Sequence, residues 1–391
     1  MATASATIPD RRERPPDGPP LGGLPPAAFL RRHWQKRARL VREAVPGFSG
    51  PFSRDDLFAL ACRDDVESRL VVRSGKRWSV DHGPFAPRRL ASLPSRAWTL
   101  LVQGTNLVDA RADALMRRFR FIPYARLDDV MVSYAAPGGG VGPHVDSYDV
   151  FLLQGFGRRR WRWGTQRDLA FVPDLPLRIL ARFEPGHDEV LGPGDMLYLP
   201  PQAAHDGVAV DACTTYSIGF RAALAQEVAE AFLTHLAEAV DLSGRYADPD
   251  LAATRTPARI PAAMQARFAR TLARIRIAPG DVDAFVGAWL SEPKAHVYFG
   301  PPARVPGIDA FAKALARRGA RLDLRTQALY DARAMYVNGE RVTVPATARA
   351  ALRRFADRRS LPARDARALD ANAHFLLLDW YRHGWLHLGT A

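Results

Sequence analysis

The period of the apolar positions changes along the chain. Residues 27–45, "AAFLRRHWQKRARLVREAV", have apolar side chains at helical spacing and end near Pro46-Gly47, which predicts an amphipathic helix. From residue 128 onward the apolar runs are short and are separated by glycine and proline, as in "DDVMVSYAA", "GDMLYLPP" and "TTYSIGF". Strands this short and this closely spaced are typical of a β-sandwich or β-barrel.

A helical period returns after the β-rich segment and continues into a mixed C-terminal region. In that region, Asn338-Gly339 in "YVNGERV" predicts a two-residue β-hairpin, and the hairpin with its flanking helices is similar to a winged helix. The predicted fold class is therefore α+β. The helices predicted before this region cover 223–240, 261–277 and 280–293.

The charge of the chain is strongly positive. It contains 55 lysines and arginines against 41 aspartates and glutamates, which gives a formal net charge of +14. This charge predicts long-range attraction to polyanions such as RNA. The sequence has no RNP motif or zinc-finger spacing, so nothing in it indicates recognition of bases.

The sequence lacks the marks of secretion and of membrane insertion. No apolar run approaches the roughly 18–20 residues of a membrane span, and the first 25 residues lack the apolar core of a signal peptide. Residues 1–26 are instead predicted to be a disordered tail rich in proline and arginine. Cys62 and Cys213 are too few for a disulfide framework, which favours a reducing cytoplasm.

A candidate metal site begins in "GPHVDSYDVFLLQG", residues 142–155. Residues two apart in a strand point to the same face, so His144 and Asp146 are predicted to project together. A third ligand, His205, follows an apolar strand and a Pro-Pro break in "GDMLYLPPQAAHDG". Two histidines and one carboxylate that leave coordination positions open are the facial triad of non-haem Fe(II) oxygenases.

This pair of residues has a simpler interpretation. A histidine and an aspartate two apart are more often ordinary polar residues at the start of a strand than a metal site. The combination with G-D-x-L-Y-x-P-P-x-x-x-H about 60 residues later is far more specific and favours the metal. The other eight histidines have no comparable context and are interpreted as structural or exposed.

Several segments together resemble one known family. "PGGGVGPHVDSYDVFLLQGFGRRRWRWG", "GDMLYLPPQAAHDG" and "YSIGFRA" are similar to the bacterial ribosomal oxygenases, which are JmjC-type 2-oxoglutarate-dependent dioxygenases. The resemblance extends upstream through "WTLLVQGTNL" and "FLRRHWQKR" and downstream to "YVNGE". It therefore covers nearly all of residues 27–391.

The resemblance implies a fold, a reaction and a partner. The fold is a double-stranded β-helix of the JmjC/cupin type, followed by a helical dimerisation region and a C-terminal winged-helix-like domain. The reaction is hydroxylation of an arginine β-carbon in a large-subunit ribosomal protein, the bacterial one numbered sixteen, with Fe(II), 2-oxoglutarate and O2. His144, Asp146 and His205 would be the metal ligands. A cytoplasmic homodimer with weak contact to ribosomal RNA through its basic surface is expected.

The same resemblance divides the chain into four parts. They are a disordered tail (1–26), a JmjC domain with N-terminal helices (27–222), a helical dimerisation region (223–300) and a winged-helix-like domain (301–391). The apolar stripes of the helical region suit a partner helix, although an intramolecular bundle would show the same pattern. The last domain is interpreted as structural or as a docking site for the substrate.

The cosubstrate requires a cation for its distal carboxylate. A planar guanidinium binds a carboxylate through two parallel hydrogen bonds, and the resemblance places this role at Arg159. It also places Ser133 as a hydroxyl partner of the same carboxylate. Ser217 or Tyr216 on the last barrel strand is a further candidate. The other arginines of "GRRRWRW" are interpreted as a solvated strand face or as docking sites for ribosomal RNA.

A pocket for the arginine substrate is predicted from strand periodicity. If Ser133 faces the site, Met131 and Asp129 share its face, and Tyr148 follows the two metal ligands on theirs. An arginine requires a carboxylate for its guanidinium and flat or polarizable surfaces for its stem. The alternative is that Met131 and Tyr148 are core residues and Asp129 is a charge at the rim.

Two other functions are compatible with the residues alone. A cupin-type metalloenzyme acting on a small molecule shares the barrel and a G-D-x-x-x-x-P…H element, but it does not need Arg159. A protein that associates with ribosomes or RNA without being an enzyme would not need three intact metal ligands.

Overall fold

The computed structural model describes residues 18–389 and divides the chain into two units. Unit 1 comprises the chain up to Ala222 together with Ala295–Tyr298, and unit 2 comprises Ala223–Lys294 and the chain from Phe299 onward. Most of the predicted tail, residues 1–17, lies outside the described residues. None of the helices in the described range is long and apolar enough to cross a membrane.

Among the described residues, unit 1 contains four α-helices and eleven strands. The helices are α1 (Pro26–Arg32), α2 (Arg54–Ala61), α3 (Pro87–Ala91) and α4 (Ala110–Arg117). The strands are β1 (Arg39–Val41), β2 (Ser68–Ser74), β3 (Arg77–His82), β4 (Trp98–Val102), β5 (Leu127–Ala135), β6 (Val150–Gln154), β7 (Arg159–Gly164), β8 (His187–Leu191), β9 (Met196–Leu199), β10 (Ala204–Ala209) and β11 (Cys213–Phe220).

These strands form two antiparallel sheets. The larger sheet has the order β1-β9-β6-β11-β5-β4-β2-β3, and the smaller sheet has the order β10-β7-β8. Side chains alternate along β6, so that Val150 and Leu152 pack with Trp161 of the smaller sheet, while Phe151 and Leu153 lie in the main core on the other face. A strand covered on both faces needs an uninterrupted apolar run, which explains "VFLL".

The single helix predicted at 27–45 is wrong beyond its first two turns. Helix α1 ends at Arg32, and β1 pairs with β9 in the register Arg39↔Tyr198. Between them Gln35 has a left-handed backbone, with φ 55°, which no continuous helix allows. Backbone pairing at the edge of the larger sheet therefore outweighs the helical propensity of this segment.

The predicted tail is too long, because residues 18–26 are ordered against unit 1. Leu21 is 1% exposed and lies in the main core, and the carbonyl oxygen of Gly18 accepts hydrogen bonds from the guanidinium of Arg118. Helix α1 then begins at Pro26, where the fixed φ of proline suits a first helical turn. The proline-rich composition indicated disorder, but one buried leucine anchors the segment.

In the part of unit 2 that the structure describes there are seven α-helices and six short strands. The helices are α5 (Ala225–Ala239), α6 (Ala262–Leu272), α7 (Pro279–Ser291), α8 (Ile308–Arg318), α9 (Arg349–Arg358), α10 (Ala363–Ala366) and α11 (Ala371–Arg382). The strands are β12 (Ala320–Leu322), β13 (Ala328–Tyr330), β14 (Met335–Val337), β15 (Glu340–Val342), β16 (Ser360–Leu361) and β17 (Leu386–Leu388).

Two three-stranded sheets complete unit 2, in the orders β16-β12-β17 and β13-β14-β15. The predicted hairpin is confirmed, since Asn338 and Gly339 join β14 to β15 with φ of 51° and 90°, as a type I′ turn requires. Leu352 and Phe355 of α9 lie in the same core cluster as Leu377 of α11. The opposite face of α9 is left to solvent.

Candidate metal centre

The three predicted metal ligands lie together in unit 1. His144, Asp146 and His205 each contribute one potential ligand atom, and these atoms are all within 4.8 Å of one another. Asp146 Oδ1 is 3.9 Å from Nε2 of His144, and its Oδ2 is 3.6 Å from Nε2 of His205. Two nitrogens and one oxygen at this spacing can bind one divalent cation and leave its other side open.

The segment that carries His144 and Asp146 is not a strand, contrary to the prediction. Strand β6 begins only at Val150, and His144 forms an isolated bridge to His205 with backbone hydrogen bonds of 2.9 Å in both directions. The carbonyl oxygen of Asp146 accepts a hydrogen bond of 2.8 Å from Gln202 N–H. Backbone pairing with the segment around β10, rather than strand alternation, therefore brings the ligands together.

A backbone carbonyl orients each of the two imidazoles. His144 Nδ1 is 2.9 Å from the carbonyl oxygen of Gly142, and His205 Nδ1 is 2.9 Å from that of Ala203. Because a carbonyl oxygen only accepts hydrogen bonds, Nδ1 carries the proton in both rings. The lone pair of each Nε2 is left for a metal, which is how ligating histidines are commonly held.

Burial keeps His205 in the form that binds metals. Its side chain is 2% exposed, and burial together with repulsion from His144 lowers the pKa of its imidazole below the usual value. Coordination requires a neutral imidazole. Protons therefore compete little with a metal at His205 near neutral pH.

A cavity of about 490 Å³ lies beside the ligands. Its walls include residues of β4, β5, β6 and β11 from the larger sheet and of β7 and β10 from the smaller one. This volume is in the range of ligand pockets and exceeds what a metal and its waters need. The site can therefore hold organic molecules next to the metal.

One wall of the cavity holds a buried cation. Arg159 on β7 is 5% exposed, and its Nε and Nη2 have no acceptor among the described residues. Its guanidinium carbon lies 5.7 Å from the ring centroid of Trp161. A buried guanidinium without an anion is unfavourable, and a carboxylate is its bidentate partner. The residues present therefore fit both the metal and the 2-oxoglutarate that the sequence implied.

Hydroxyl groups line the same cavity. Ser133 and Ser217 both contribute to its walls, and the hydroxyl of Ser133 makes only a long contact of 3.5 Å to the Thr215 carbonyl. Tyr216 points the other way, into the main core, where its hydroxyl oxygen accepts a hydrogen bond of 3.1 Å from Phe52 N–H. Tyr216 as a cosubstrate residue is therefore wrong, because strand alternation separates it from Ser217.

The three residues predicted to bind the substrate also line the cavity. Asp129 is 3% exposed and one carboxylate oxygen accepts a hydrogen bond of 3.0 Å from Gly104 N–H, whereas Tyr148 is 38% exposed. Met131 lies between Asp129 and Ser133 along β5. A methyl group at Gly219 would be 3.6 Å from Asp129 Oδ1 and 3.9 Å from Tyr148 Cε2. The alternative of a rim charge beside core residues does not match this placement.

Sequence reasoning missed three further polar groups in the cavity. The hydroxyl of Thr99, the amide oxygen of Gln103 and the indole N–H of Trp161 are buried there without a hydrogen-bond partner among the described residues. Thr99 and Gln103 are four apart at β4 and so share one face. The alternation of side chains along "WTLLVQ" predicts this shared face for Thr99 and Gln103.

The arginines next to Arg159 form a solvated face, as predicted. Arg158, Arg160 and Arg162 each form an ion pair with an aspartate, and their side chains are 39–60% exposed. Of these four arginines of the described chain, Arg159 is the one that lines the cavity, whose wall also includes Arg69 and Arg178.

Two family models match the chain. The model of the JmjC domain matches residues 114–228, which include all three metal ligands and Arg159. The model of the ROXA-like winged helix matches residues 270–387, which belong to unit 2 except for Ala295–Tyr298.

Similar proteins cover both units. The ribosomal protein uL16 3-hydroxylase of Escherichia coli is 36% identical over 323 residues, which are 81% of this chain and 85% of that protein. The probable ribosomal oxygenase of Haemophilus influenzae is 39% identical over 232 residues, 58% of this chain and 55% of its own. The structure of YcfD, a ribosomal oxygenase from Escherichia coli in complex with cobalt and 2-oxoglutarate, matches with a TM-score of 0.80 at 33% identity, over 94% of this chain and 99% of that one.

Proposed function

The chain belongs to the ribosomal oxygenases, the family of the Escherichia coli uL16 3-hydroxylase, and on this premise we propose that it hydroxylates an arginine of protein uL16 at the β-carbon. It is an Fe(II)- and 2-oxoglutarate-dependent ribosomal protein hydroxylase. The observation that carries the proposal is the convergence of His144, Asp146 and His205 on one wall of a cavity that also contains the unpaired guanidinium of Arg159.

When bound, iron and 2-oxoglutarate supply the oxidation of a substrate C–H bond to C–OH by dioxygen, with succinate and carbon dioxide as the other products. The chain holds the metal through Nε2 of His144 and His205 and the carboxylate of Asp146. Arg159 binds the distal carboxylate of the cosubstrate, and Ser133 donates a hydrogen bond to it. Ser217 is a second donor on the neighbouring strand. None of these side chains has to remove a proton from the substrate.

The pocket around Asp129 suits an arginine side chain. Oxygens of its carboxylate accept hydrogen bonds from a guanidinium, while the ring of Tyr148 and the thioether of Met131 contact the aliphatic stem. Gly219 leaves room between the carboxylate and the ring. The target carbon is thereby directed toward the metal ligands, with the charged end of the side chain held away from them.

A cytoplasmic homodimer is part of the same proposal. Large apolar side chains of α5–α7 are exposed in a single chain, among them Leu233 (64%), Phe268 (52%), Leu272 (63%) and Val286 (39%). A second copy of this surface would bury them. Weak contact with ribosomal RNA is supported by the net charge of +14.

The experiment uses the purified full chain with Fe(II), ascorbate, 2-oxoglutarate and an arginine-bearing peptide of uL16. Succinate formation and a peptide mass gain of one oxygen are expected. His144→Ala should abolish both, because it removes a metal ligand. The matched control is His187→Ala, an exposed histidine of β8 that stacks on Trp163 outside the cavity.

The outcomes separate the alternatives. Turnover of a small molecule without 2-oxoglutarate would favour a cupin-type metalloenzyme, and absence of any succinate would leave only a binding protein. Succinate without peptide oxidation would refute the substrate while leaving the class of enzyme intact.

A further inference from the structure

The C-terminal part of unit 2 carries a surplus of positive charge. Residues 299–389 contain 16 arginines and lysines and 8 aspartates and glutamates, a net charge of +8. In the sequence the two signs are mixed, so no patch is evident. The structure distinguishes charged side chains that already have a partner from those that do not.

The carboxylates near α9 are engaged locally. Asp331 accepts hydrogen bonds from two backbone N–H groups at 2.6 Å, and Asp357 accepts from the hydroxyl of Tyr330 at 2.9–3.0 Å. Asp370 caps α11 through a backbone N–H at 2.9 Å. These carboxylates are thus already held by local donors.

Three of the four arginines of α9 are not engaged in this way. Arg349, Arg354 and Arg358 are exposed and form no hydrogen bond or ion pair with the described residues. At 100° per residue they occupy the half of the helix opposite the buried Leu352 and Phe355. The helix therefore presents three free guanidinium groups to solvent.

Two more arginines extend this surface. Arg333 and Arg353 join Arg349 around a small depression of about 30 Å³ whose floor includes Met335 and Val342. Arg353 donates to two backbone carbonyls, and Arg333 forms a 3.2 Å ion pair in which both side chains are more than half exposed. Such an exposed pair is weak and leaves the guanidinium available to another anion.

The start of α9 adds to the attraction for anions. Its N-cap position is occupied by Ala348, and no side chain accepts a hydrogen bond from the first helical N–H groups. The positive end of the helix dipole therefore coincides with Arg349. We call the five residues Arg333, Arg349, Arg353, Arg354 and Arg358 the α9 arginine surface.

We propose that the α9 arginine surface binds the phosphate backbone of RNA without reading its sequence. The helix is about 15 Å long, enough to set its guanidiniums against successive phosphates. Each guanidinium matches a phosphate through parallel hydrogen bonds. The aromatic ring nearest the arginines, Tyr330, is covered by the guanidinium of Arg353 at 5.1 Å, so base stacking contributes little. This inference rests on the RNA contact of the proposed function, which it assigns to one helix, and it does not depend on the hydroxylation proposed above.

The test measures the affinity of the full chain for a fluorescein-labelled 20-nucleotide RNA of mixed sequence, by anisotropy, between 50 and 300 mM KCl. The triple variant Arg349→Gln, Arg354→Gln and Arg358→Gln should bind about tenfold or more weakly at 0.1 M salt. The loss of three phosphate contacts should also make the plot of log K against log salt concentration less steep, with the magnitude of its negative slope decreasing by about 2.

A matched control removes the same number of charges elsewhere in unit 2. Arg304, Arg317 and Arg382 are exposed and without partners among the described residues, so their triple replacement by glutamine should change the affinity less than twofold. Both variants should melt at the temperature of the wild type and hydroxylate a short peptide at its rate.

Three results would overturn the proposal. One is equal weakening by both triple variants, which would mean that net charge alone attracts RNA. Another is no RNA binding by the wild type at 0.1 M salt. The third is displacement of RNA by polyglutamate at equal charge concentration, which would identify an acidic protein as the partner. Loss of RNA binding with peptide hydroxylation intact separates this inference from the proposed function.

Discussion

Replacing Arg159 with methionine should stabilise the ligand-free protein and weaken its complex with 2-oxoglutarate. The guanidinium is 5% exposed, has no anion among the described residues and is attracted only by the ring of Trp161. Exchange of an uncompensated buried charge for an apolar side chain of similar length gains about 1–3 kcal/mol. For a unit of this size, that gain raises the melting temperature by about 3–8 °C.

The complex should change in the other direction. Two charge-assisted hydrogen bonds to the distal carboxylate together contribute about 3 kcal/mol, which corresponds to an affinity about 100-fold lower in the variant. At a cosubstrate concentration 100 times the Kd of the wild type, binding stabilises the wild type by about 2.7 kcal/mol. At the same concentration the variant gains only about 0.4 kcal/mol.

Thermal melting under nitrogen, with Fe(II) and with or without 2-oxoglutarate, measures both effects. Arg160→Met is the control, because this neighbour on β7 is exposed and paired with Asp188, so neither melting curve should shift. A lower melting temperature of ligand-free Arg159→Met would show that Arg159 has a structural partner. An unchanged shift on adding 2-oxoglutarate would place the distal carboxylate elsewhere.

Three other substitutions probe the pocket, a titrating pair and the core. Gly219→Ala adds a methyl group at ordinary contact distance from the walls of the substrate pocket, so the protein should fold and the KM for the arginine peptide should rise about tenfold in steady-state kinetics, a change of about 1.4 kcal/mol. At Asp323, burial is the largest influence and opposes ionisation, but hydrogen bonds from His387 and from the Arg325 backbone N–H, together with the charge of Arg325, outweigh it and lower the carboxyl pKa below its usual value. The stability from Asp323 is therefore present above pH about 4 and is lost as the pH falls through the lowered pKa, and Asp323→Asn should flatten this part of the melting profile. Tyr216→Phe removes the acceptor for Phe52 N–H and should cost about 1–2 kcal/mol in urea unfolding.

Each of these expectations has a result that contradicts it. A Gly219→Ala variant with normal peptide KM would place the substrate outside this part of the cavity. An acid transition unchanged by Asp323→Asn would mean that other carboxylates dominate unit 2. Tyr216→Phe should leave 2-oxoglutarate affinity unaltered, since Tyr216 faces the core, and a change in that affinity would count against the assignment of the two faces of β11.

The metal ligands could be predicted because their residue types and spacing are specific, even though the local geometry inferred for them was wrong. His144 and Asp146 were expected on a strand, but they lie on an irregular segment whose position depends on hydrogen bonds to a segment about 60 residues away. Such pairing is a property of the folded chain and leaves no periodic trace in the sequence. The spacing of the ligands along the chain follows from metal coordination, whereas the backbone pairing that brings them together follows from tertiary contacts.

The sequence also does not show which charged side chains form ion pairs or hydrogen bonds. "GRRRW" contains three consecutive arginines, and only the folded sheet shows that the middle one is buried beside the cavity while its neighbours pair with aspartates. Strand alternation predicts that Arg159 differs from Arg158 and Arg160. It cannot predict that the carboxylates around α9 are held by backbone N–H groups and by the hydroxyl of Tyr330, because those contacts depend on separate parts of unit 2.

Strand β11 lies between β5 and β6 in the larger sheet, yet it is the last strand of unit 1 to be synthesised. At roughly 5–20 residues per second, about 3–13 s of translation separate the end of β6 from the end of β11. Until then β5 and β6 each lack the strand that pairs with their facing backbone edges in the folded sheet. Because Ser217 and Gly219 of β11 form part of its wall, the cavity is complete only after the central strand has left the ribosome.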